Sequence, residues 1–250
     1  MSDALGLALA QPGLGWMALT IALAGLVRGF TGFGTAMIFM PVAVQFITVP
    51  EAILIMALTG IGSSAALVPR AWRNGDRGEV ASLALAAAVM VLFGLAAIAW
   101  LDLLVLRWVV SGLIVLTLVA LITGWRYARR LGLLGRLAVG SGAGLAGGLT
   151  GLIGPVVIVF YLANARSPEK VRANVILFLA SLDVVLIANV LIAGLASASS
   201  FWNAGLLAIP YISAVMIGQW LFDPNRETLY RWAAYLVVAG AVLSGLPIFD

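Results

Sequence analysis

The sequence contains no cysteine and no histidine. Without cysteine, the chain forms no disulfide and has no thiolate for metal binding or redox chemistry. Without histidine, it lacks the usual proton shuttle near neutral pH and the commonest metal ligand. Charged residues make up only 10% of the chain, against 63% hydrophobic residues. A soluble domain could not keep its surface hydrated with so few charges, so this composition excludes a soluble globular protein.

Long uncharged runs take the place of the missing polar residues. Residues 80–101 and 108–125 contain no charged side chain, and runs of this length cross a hydrocarbon core of about 30 Å. The alternation typical of a membrane barrel is absent, so the sequence predicts an all-α polytopic membrane protein. The net charge of +4 does not indicate nucleic acid, because the basic residues lie in short loops, where they set membrane orientation. No Lys or Arg precedes Arg28, so we do not expect a cleaved secretory signal at the start.

The sequence also repeats itself. The segment GLVRGFTGFG that begins at Gly25 returns as GLAGGLTGLIG at Gly144. A Pro-Glu pair follows each copy, at Pro50 and at Pro168, and such a pair is typical of a helix start. A duplicated membrane chain whose halves each open with a glycine-interrupted helix has the layout of a transporter.

Each repeat divides into about five apolar segments, of which the first two are short. We expect a first transmembrane repeat at 13–125, a basic cytoplasmic linker at 126–133 and a second transmembrane repeat at 134–247. The segments lie near 13–30, 34–48, 51–69, 79–101, 105–125, 134–149, 154–165, 171–195, 203–222 and 229–247. As a helix, residues 154–165 would extend only about 18 Å, which is too short to span the membrane. A re-entrant hairpin, or two half-helices joined at the glycine turn, therefore suits each short pair.

The basic residues predict how the repeats are oriented. If each short pair enters and leaves on one side, the repeats are inverted, and the basic loops lie on one side with Arg107 alone on the other. If each pair is one broken span, the repeats are parallel and the basic residues after residue 165 move outside. The positive-inside rule favours two inverted repeats with both termini in the periplasm.

The two glycine turns are the first candidate site. Backbone interrupted inside a membrane has unpaired polar groups that lipid cannot satisfy, so it must be buried in protein or line a wet cavity. Helices that begin at Gly34 and Gly154 would direct free N–H groups and positive dipole ends at this space, which favours an anion. Inverted repeats would bring both turns together near mid-membrane, where Thr31 and Thr150 could each donate a hydrogen bond. Alternatively, the glycines only permit close helix packing.

Two charged residues interrupt otherwise apolar segments. Arg28 lies one helical turn before Thr31, and a buried Arg costs at least about 2.5 kcal/mol on insertion scales, so it either binds the anion or snorkels to headgroups. Asp183 either binds a coupling proton or cation, pairs with Arg28 or Arg172, or has a structural role, and Asn174 lies on the same segment. Asp183 and Asn174 are thus candidates for coupling or a polar network. The residues that we expect to bind the substrate are Arg28, Thr31, Gly32, Gly34, Thr150, Gly151 and Gly154.

The Gly-x-x-x-Gly-x-Thr-Gly-x-Gly pattern, whose second copy carries one extra residue before its last glycine, resembles the TauE/SafE family of membrane transporters, also called the sulfite exporter family. The Pro-Glu pairs and the segment Arg172-Ala173-Asn174 are also similar to that family, and the resemblance covers about 13–247. It implies movement of a small sulfur-containing anion, such as sulfite, sulfoacetate or a related organosulfonate, across the bacterial inner membrane.

We therefore predict a secondary transporter with no catalytic residues, metal or cofactor, in which one half rocks against the other. Its expected partners are the lipid bilayer, a small anionic substrate and a coupling proton or sodium ion, and a homodimer is a further expectation. The alternatives are an anion channel of the same architecture, a transporter of a non-sulfur organic anion, an intramembrane enzyme, and a subunit that needs partners. An enzyme is disfavoured because the sequence shows no paired catalytic carboxylates.

Overall fold

A computed structural model describes residues 2–31, 33–123, 132–162, 168–221 and 227–246. The regular structure in these ranges is α-helical, which confirms the predicted all-α fold. Eleven helices are described: α1 (Ser2–Leu9), α2 (Leu14–Thr31), α3 (Thr35–Ala43), α4 (Val49–Asn74), α5 (Arg77–Ile98), α6 (Leu103–Ile122), α7 (Leu133–Thr150), α8 (Ile153–Leu162), α9 (Pro168–Ile192), α10 (Ala198–Leu221) and α11 (Glu227–Gly245).

The helices fall into spanning and short classes. By length and composition, α5, α6, α9 and α10 can cross a membrane, and α2, α4 and α11 contain shorter apolar stretches. The nine residues of α3 and the ten of α8 extend about 14 and 15 Å, so neither helix can span the bilayer alone. Exposed tryptophans lie near helix ends, as expected at membrane interfaces, at Trp72, Trp100, Trp108, Trp220 and Trp232.

The start of α4 shows why the Pro-Glu signal works. The Thr48 hydroxyl accepts the Glu51 N–H at 3.4 Å, and the Glu51 carboxylate accepts the Thr48 N–H at 3.2 Å. Pro50 occupies the first turn, where its missing N–H would have no helical partner anyway. In the second repeat, α9 begins at Pro168. The predicted helix start at Pro50 is confirmed, and residues 163–167, before Pro168, lie outside the described ranges.

The two repeats interlock through glycine contacts. α2 packs against α10, and α7 packs against α5, so the first helix of each repeat lies on the fourth helix of the other. A Cβ atom on Gly29 would lie 2.8 Å from the Cα of Gly218, and one on Gly148 would lie 2.9 Å from the Cα of Gly94. Such close backbone approach requires small residues on both helices. Close packing is therefore the role of these glycines upstream of the turns.

The equivalent helices α4 and α9 pack against each other in antiparallel directions. Just past the end of α4, the Asp76 N–H donates to Oδ1 of Asn174 at 2.7 Å. Earlier along α4, a Cβ on Gly60 would lie 3.3 Å from Oδ2 of Asp183. Residue numbers therefore fall along one helix as they rise along the other, so α4 and α9 run antiparallel.

Two parts of the chain differ from the predicted segments or lie outside the description. The sequence reading assigned no segment to α1, whose eight residues are too few to signal a span. This helix packs against α10 and buries Ala8. Residues 126–131 of the predicted linker lie outside the described ranges, so the boundaries of the repeats stay a prediction.

Candidate functional site

Both glycine turns contain a residue with left-handed backbone. Gly34 has a φ of 101° and is the N-cap of α3, and Gly151 has a φ of 73° and is the C-cap of α7. Residues with a Cβ rarely adopt this conformation, so both turns require glycine. The predicted site residue Gly32 lies outside the described residues, as does the side chain of Thr31.

The second turn is one residue shorter than the first. Three residues separate α2 from α3, at 32–34, and two separate α7 from α8, at 151–152. Gly154 is therefore the second residue of α8, which begins one residue before the predicted start at Gly154. A Cβ on Gly154 would lie 3.6 Å from Cδ1 of Ile158, an ordinary contact. The local backbone therefore does not need glycine at 154.

The two turns line a single small cavity. Its volume is about 40 Å³, and it lies between α2, α3, α4, α8 and α9. Five of the predicted site residues are brought together in its lining, and these are Arg28, Gly34, Gly151, Gly154 and Asp183. The first residues of α3 and α8 complete this face, with Thr35, Ala36, Met37, Ile153 and Pro155.

The start of α3 supplies backbone donors at the cavity. Its first helical hydrogen bond runs from the Ile38 N–H to the Gly34 carbonyl at 3.3 Å, so the N–H groups of residues 35–37 have no partner within the helix. The N-cap is a glycine and makes no side-chain cap. α8 begins at the same cavity but has fewer donors, because Pro155 has no N–H. Two positive helix ends therefore face one space, which favours an anion.

Arg28 contributes a full positive charge to the cavity. Its Nη2 donates to Oγ of Ser64 on α4 at 3.5 Å. Its Nε is buried and has no hydrogen-bond partner among the described residues. A buried donor without a partner is costly, and an oxyanion would supply the missing acceptor. The contact with buried Ser64 directs the guanidinium into the protein, which favours anion binding over snorkelling.

Asp183 contributes the opposite charge. It is half-buried near the middle of α9 and lines the cavity together with Arg28. Among the described lining residues these two are the charged ones. When the two repeats are aligned, Gly147 is the counterpart of Arg28. The positive charge of Arg28 is therefore not a shared feature of the two repeats.

Thr150 has a local role instead of lining the cavity. Its fully buried hydroxyl donates to the Ala146 carbonyl at 2.6 Å and accepts the Leu152 N–H at 3.3 Å. These bonds hold the turn after α7. The Thr150 hydroxyl was predicted to donate to the substrate, but in this structure it donates to the Ala146 carbonyl.

Asn174 lies in a different network, at the junction of α4, α5 and α9. It is fully buried, accepts the Asp76 N–H, and donates through Nδ2 to Oε1 of Glu79 at 3.3 Å. Glu79 is also buried, and its Oε2 lies 4.0 Å from Nε of Arg136. Of its two predicted roles, Asn174 has the polar-network one, and it does not join Asp183 at the cavity lining.

Sequence reasoning missed Ser64 and Thr35. Ser64 binds Arg28, and Oγ1 of buried Thr35 lies 3.3 Å from the hydroxyl of Tyr211 on α10. The available signal for Ser64 was the stretch TGIGSS at 59–64, which is unusually polar and small for an apolar span. Thr35 carried no such signal, because its partner lies far along the chain.

A larger cavity of about 480 Å³ lies beside the α3–α4 and α5–α6 turns. Its described lining includes Gln11, Gln45 and the carboxylate of Glu51, with no Lys or Arg. A carboxylate in a lining without Lys or Arg disfavours anion binding. The central cavity is smaller but contains Arg28, and it is therefore the better candidate for the anion site.

Comparison with known proteins identifies the family of the chain. A family model described as Sulfite exporter TauE/SafE matches residues 17–244, which include both glycine turns and the whole described lining of the central cavity. No curated protein and no solved structure matches the chain. Because the match covers nearly the whole sequence, the chain belongs to the TauE/SafE sulfite exporter family of membrane transporters.

Proposed function

We propose that this protein is a secondary transporter that moves a small sulfur-containing anion, such as sulfite, sulfoacetate or a related organosulfonate, across the bacterial inner membrane. The observation that carries the proposal is the convergence of Arg28 and the first turns of α3 and α8 on one cavity. Family membership supports sulfite or a related anion as the substrate.

The antiparallel packing of α4 and α9 supports inverted repeats. Both helices are long, with 26 and 25 residues, and if they cross the bilayer, the axis that relates them lies in the membrane plane. The basic residues at the end of α4 then face the cytoplasm, and both chain termini face the periplasm. The central cavity lies at mid-membrane in this arrangement, because Asp183 is near the middle of α9.

The interlocked packing suggests which helices move together. Rocking of the two sequence halves as separate bodies would break the backbone contacts of Gly29 with Gly218 and of Gly148 with Gly94. We therefore infer that α2 moves with α10 and α7 moves with α5, around the central pair α4 and α9. Each of these units carries one glycine turn, so their relative motion would open the cavity to alternate sides. A coupling proton or sodium ion would bind at Asp183, the cavity carboxylate.

Counterflow of radioactive sulfite into liposomes that contain the purified protein tests this function. We expect saturable uptake, and we expect its loss in Arg28→Gln, because this variant removes the full positive charge of the cavity. Arg73→Gln is the matched control, since Arg73 is exposed at the end of α4 and outside the cavity. Single-channel currents in place of saturable exchange, or normal uptake by Arg28→Gln, would contradict the proposal.

A further inference from the structure

We propose that Asp183 is a specificity-determining residue that sets the charge of the transported anion, so that the central cavity accepts a compact monoanion and rejects a dianion. This inference rests on the proposed function and deepens it. Among the anions of the proposed function, the expected substrate is then hydrogen sulfite or a small sulfonate with a single charge. Sulfoacetate, which is a dianion at neutral pH, is rejected together with sulfate and thiosulfate.

The charges that line the cavity carry the argument. Arg28 and Asp183 offset each other to a net charge of zero. The starts of α3 and α8 add partial positive charge, and the end of α7 at Gly151 adds partial negative charge. With Asp183 ionised, the cavity therefore has no large surplus of positive charge to neutralise a dianion. The Asp183 carboxylate repels a dianion about twice as strongly as a monoanion at the same place.

An excess charge has little means of being screened at this place. The cavity holds only about 40 Å³, and the rest of its described lining is largely apolar, with Met37, Met56, Ile158 and Leu179 among its walls. Uncompensated charge in so small and largely apolar a site is costly. The same small volume disfavours a long organic tail on the substrate.

Asp183 lies at the interface of α9 with α4. Its carboxylate lies against the backbone of Gly60 on α4, where a Cβ atom would come within 3.3 Å of Oδ2. The glycine thus permits the close approach of α4 to the carboxylate. Arg28 approaches the same cavity from α2, and its Nε has no hydrogen-bond partner among the described residues. An anion that binds Arg28 therefore also meets the field of Asp183.

A purely structural role for Asp183 makes a different prediction. If the carboxylate only offsets the buried charge of Arg28, its removal lowers stability or overall affinity but leaves the ratio of affinities for two anions unchanged. If it sets the accepted charge, its removal shifts that ratio toward the dianion. The ratio is thus the readout that separates the two roles.

Methanesulfonate and sulfate are suitable probes, because both have a tetrahedral sulfur centre, and at neutral pH the first is a monoanion and the second a dianion. We expect the full-length wild type in detergent to bind methanesulfonate more tightly than sulfate. In Asp183→Asn the ratio should shift toward sulfate by about tenfold or more, since two charges a few Å apart in a partly buried site interact at least that strongly. Asp183→Glu should keep the wild-type preference.

Asp102→Asn is the charge-matched control. Asp102 is exposed, lies outside the cavity and makes no side-chain cap at the start of α6, so the ratio should stay at the wild-type value. A wild type that prefers sulfate, or an unchanged ratio in folded Asp183→Asn, overturns the inference and leaves the proposed function standing. If Asp183→Asn does not fold, the test is the ratio of the wild-type affinities for methanesulfonate and sulfate, and a preference for sulfate overturns the inference. Failure of the wild type to bind sulfite, methanesulfonate and sulfate alike would overturn the proposed function itself.

Discussion

Gly29 on α2 and Gly218 on α10 meet through their backbones, with the Cβ position of Gly29 only 2.8 Å from the Cα of Gly218. Gly148 on α7 and Gly94 on α5 make the same contact at 2.9 Å. Each pair joins the first helix of one repeat to the fourth helix of the other. The duplicated sequence thus produces two matching interfaces that hold the glycine turns in place.

The first prediction concerns this interface. Gly29→Ala should destabilise the protein by about 1–3 kcal/mol, because its Cβ would lie 2.6 Å from the Val215 carbonyl oxygen and backbone cannot yield as a side chain can. The measurement is the thermal unfolding temperature in detergent. Gly112→Ala is the control, since Gly112 lies in a helix with nothing within 4 Å of its Cβ position. Equal unfolding temperatures for the two variants would show that the close contact is unimportant.

A second prediction concerns the turns. Gly34→Ala and Gly151→Ala should each cost about 1 kcal/mol or more, because both residues have positive φ angles. We also expect both to impair sulfite counterflow, since each turn lines the cavity. Gly154→Ala serves as the comparison, because Gly154 is inside α8 and has room for a methyl group. A larger loss of stability in Gly154→Ala than in the other two would contradict this account of the turns.

Ser64 supplies a third prediction. Ser64→Ala removes the hydroxyl that accepts from Arg28, and loss of one such hydrogen bond to a charged group should weaken sulfite binding by roughly tenfold. The apparent KM of counterflow measures this effect. Ser181→Ala is the matched change on α9, where the hydroxyl donates to the Leu177 carbonyl within its own helix. If both variants keep the wild-type KM, Ser64 does not position Arg28.

The fourth prediction concerns orientation, and the absence of cysteine gives it a clean background. In intact cells, a membrane-impermeant maleimide should label Trp100→Cys and spare Arg73→Cys, because inversion with the basic end of α4 inside places these exposed residues on opposite sides. Labelling of permeabilised cells should modify both. Labelling of Arg73→Cys alone in intact cells would reverse the assigned sidedness, and equal labelling would reject the single span between them.

Much of the fold could be predicted from local features of the chain. Uncharged runs such as 80–101 mark membrane helices, because few other structures bury so many apolar side chains in sequence. Pro50 and Glu51 mark a helix start through bonds made within four residues. The glycine turns were recognised because broken backbone in a membrane needs residues without a Cβ, and Arg28 and Asp183 because isolated charges there are costly.

Other site residues could not be assigned in the same way. Thr150 uses its hydroxyl inside the turn, and Asn174 pairs with Glu79, which is far away along the chain. The contact of Arg28 with Ser64 depends on how α2 meets α4. No local pattern encodes such pairings, because they result from helix packing.

By itself, the sequence determined that this protein is helical, lies in a membrane, is duplicated and breaks each half at glycine, since those properties follow from hydropathy and from backbone conformations permitted to single residues. Only the tertiary structure decided that α2 lies on α10, that α7 lies on α5, and that Arg28 shares a cavity with Asp183. These relationships depend on which apolar faces fit together in three dimensions, and many pairings of similar helices satisfy hydropathy equally well.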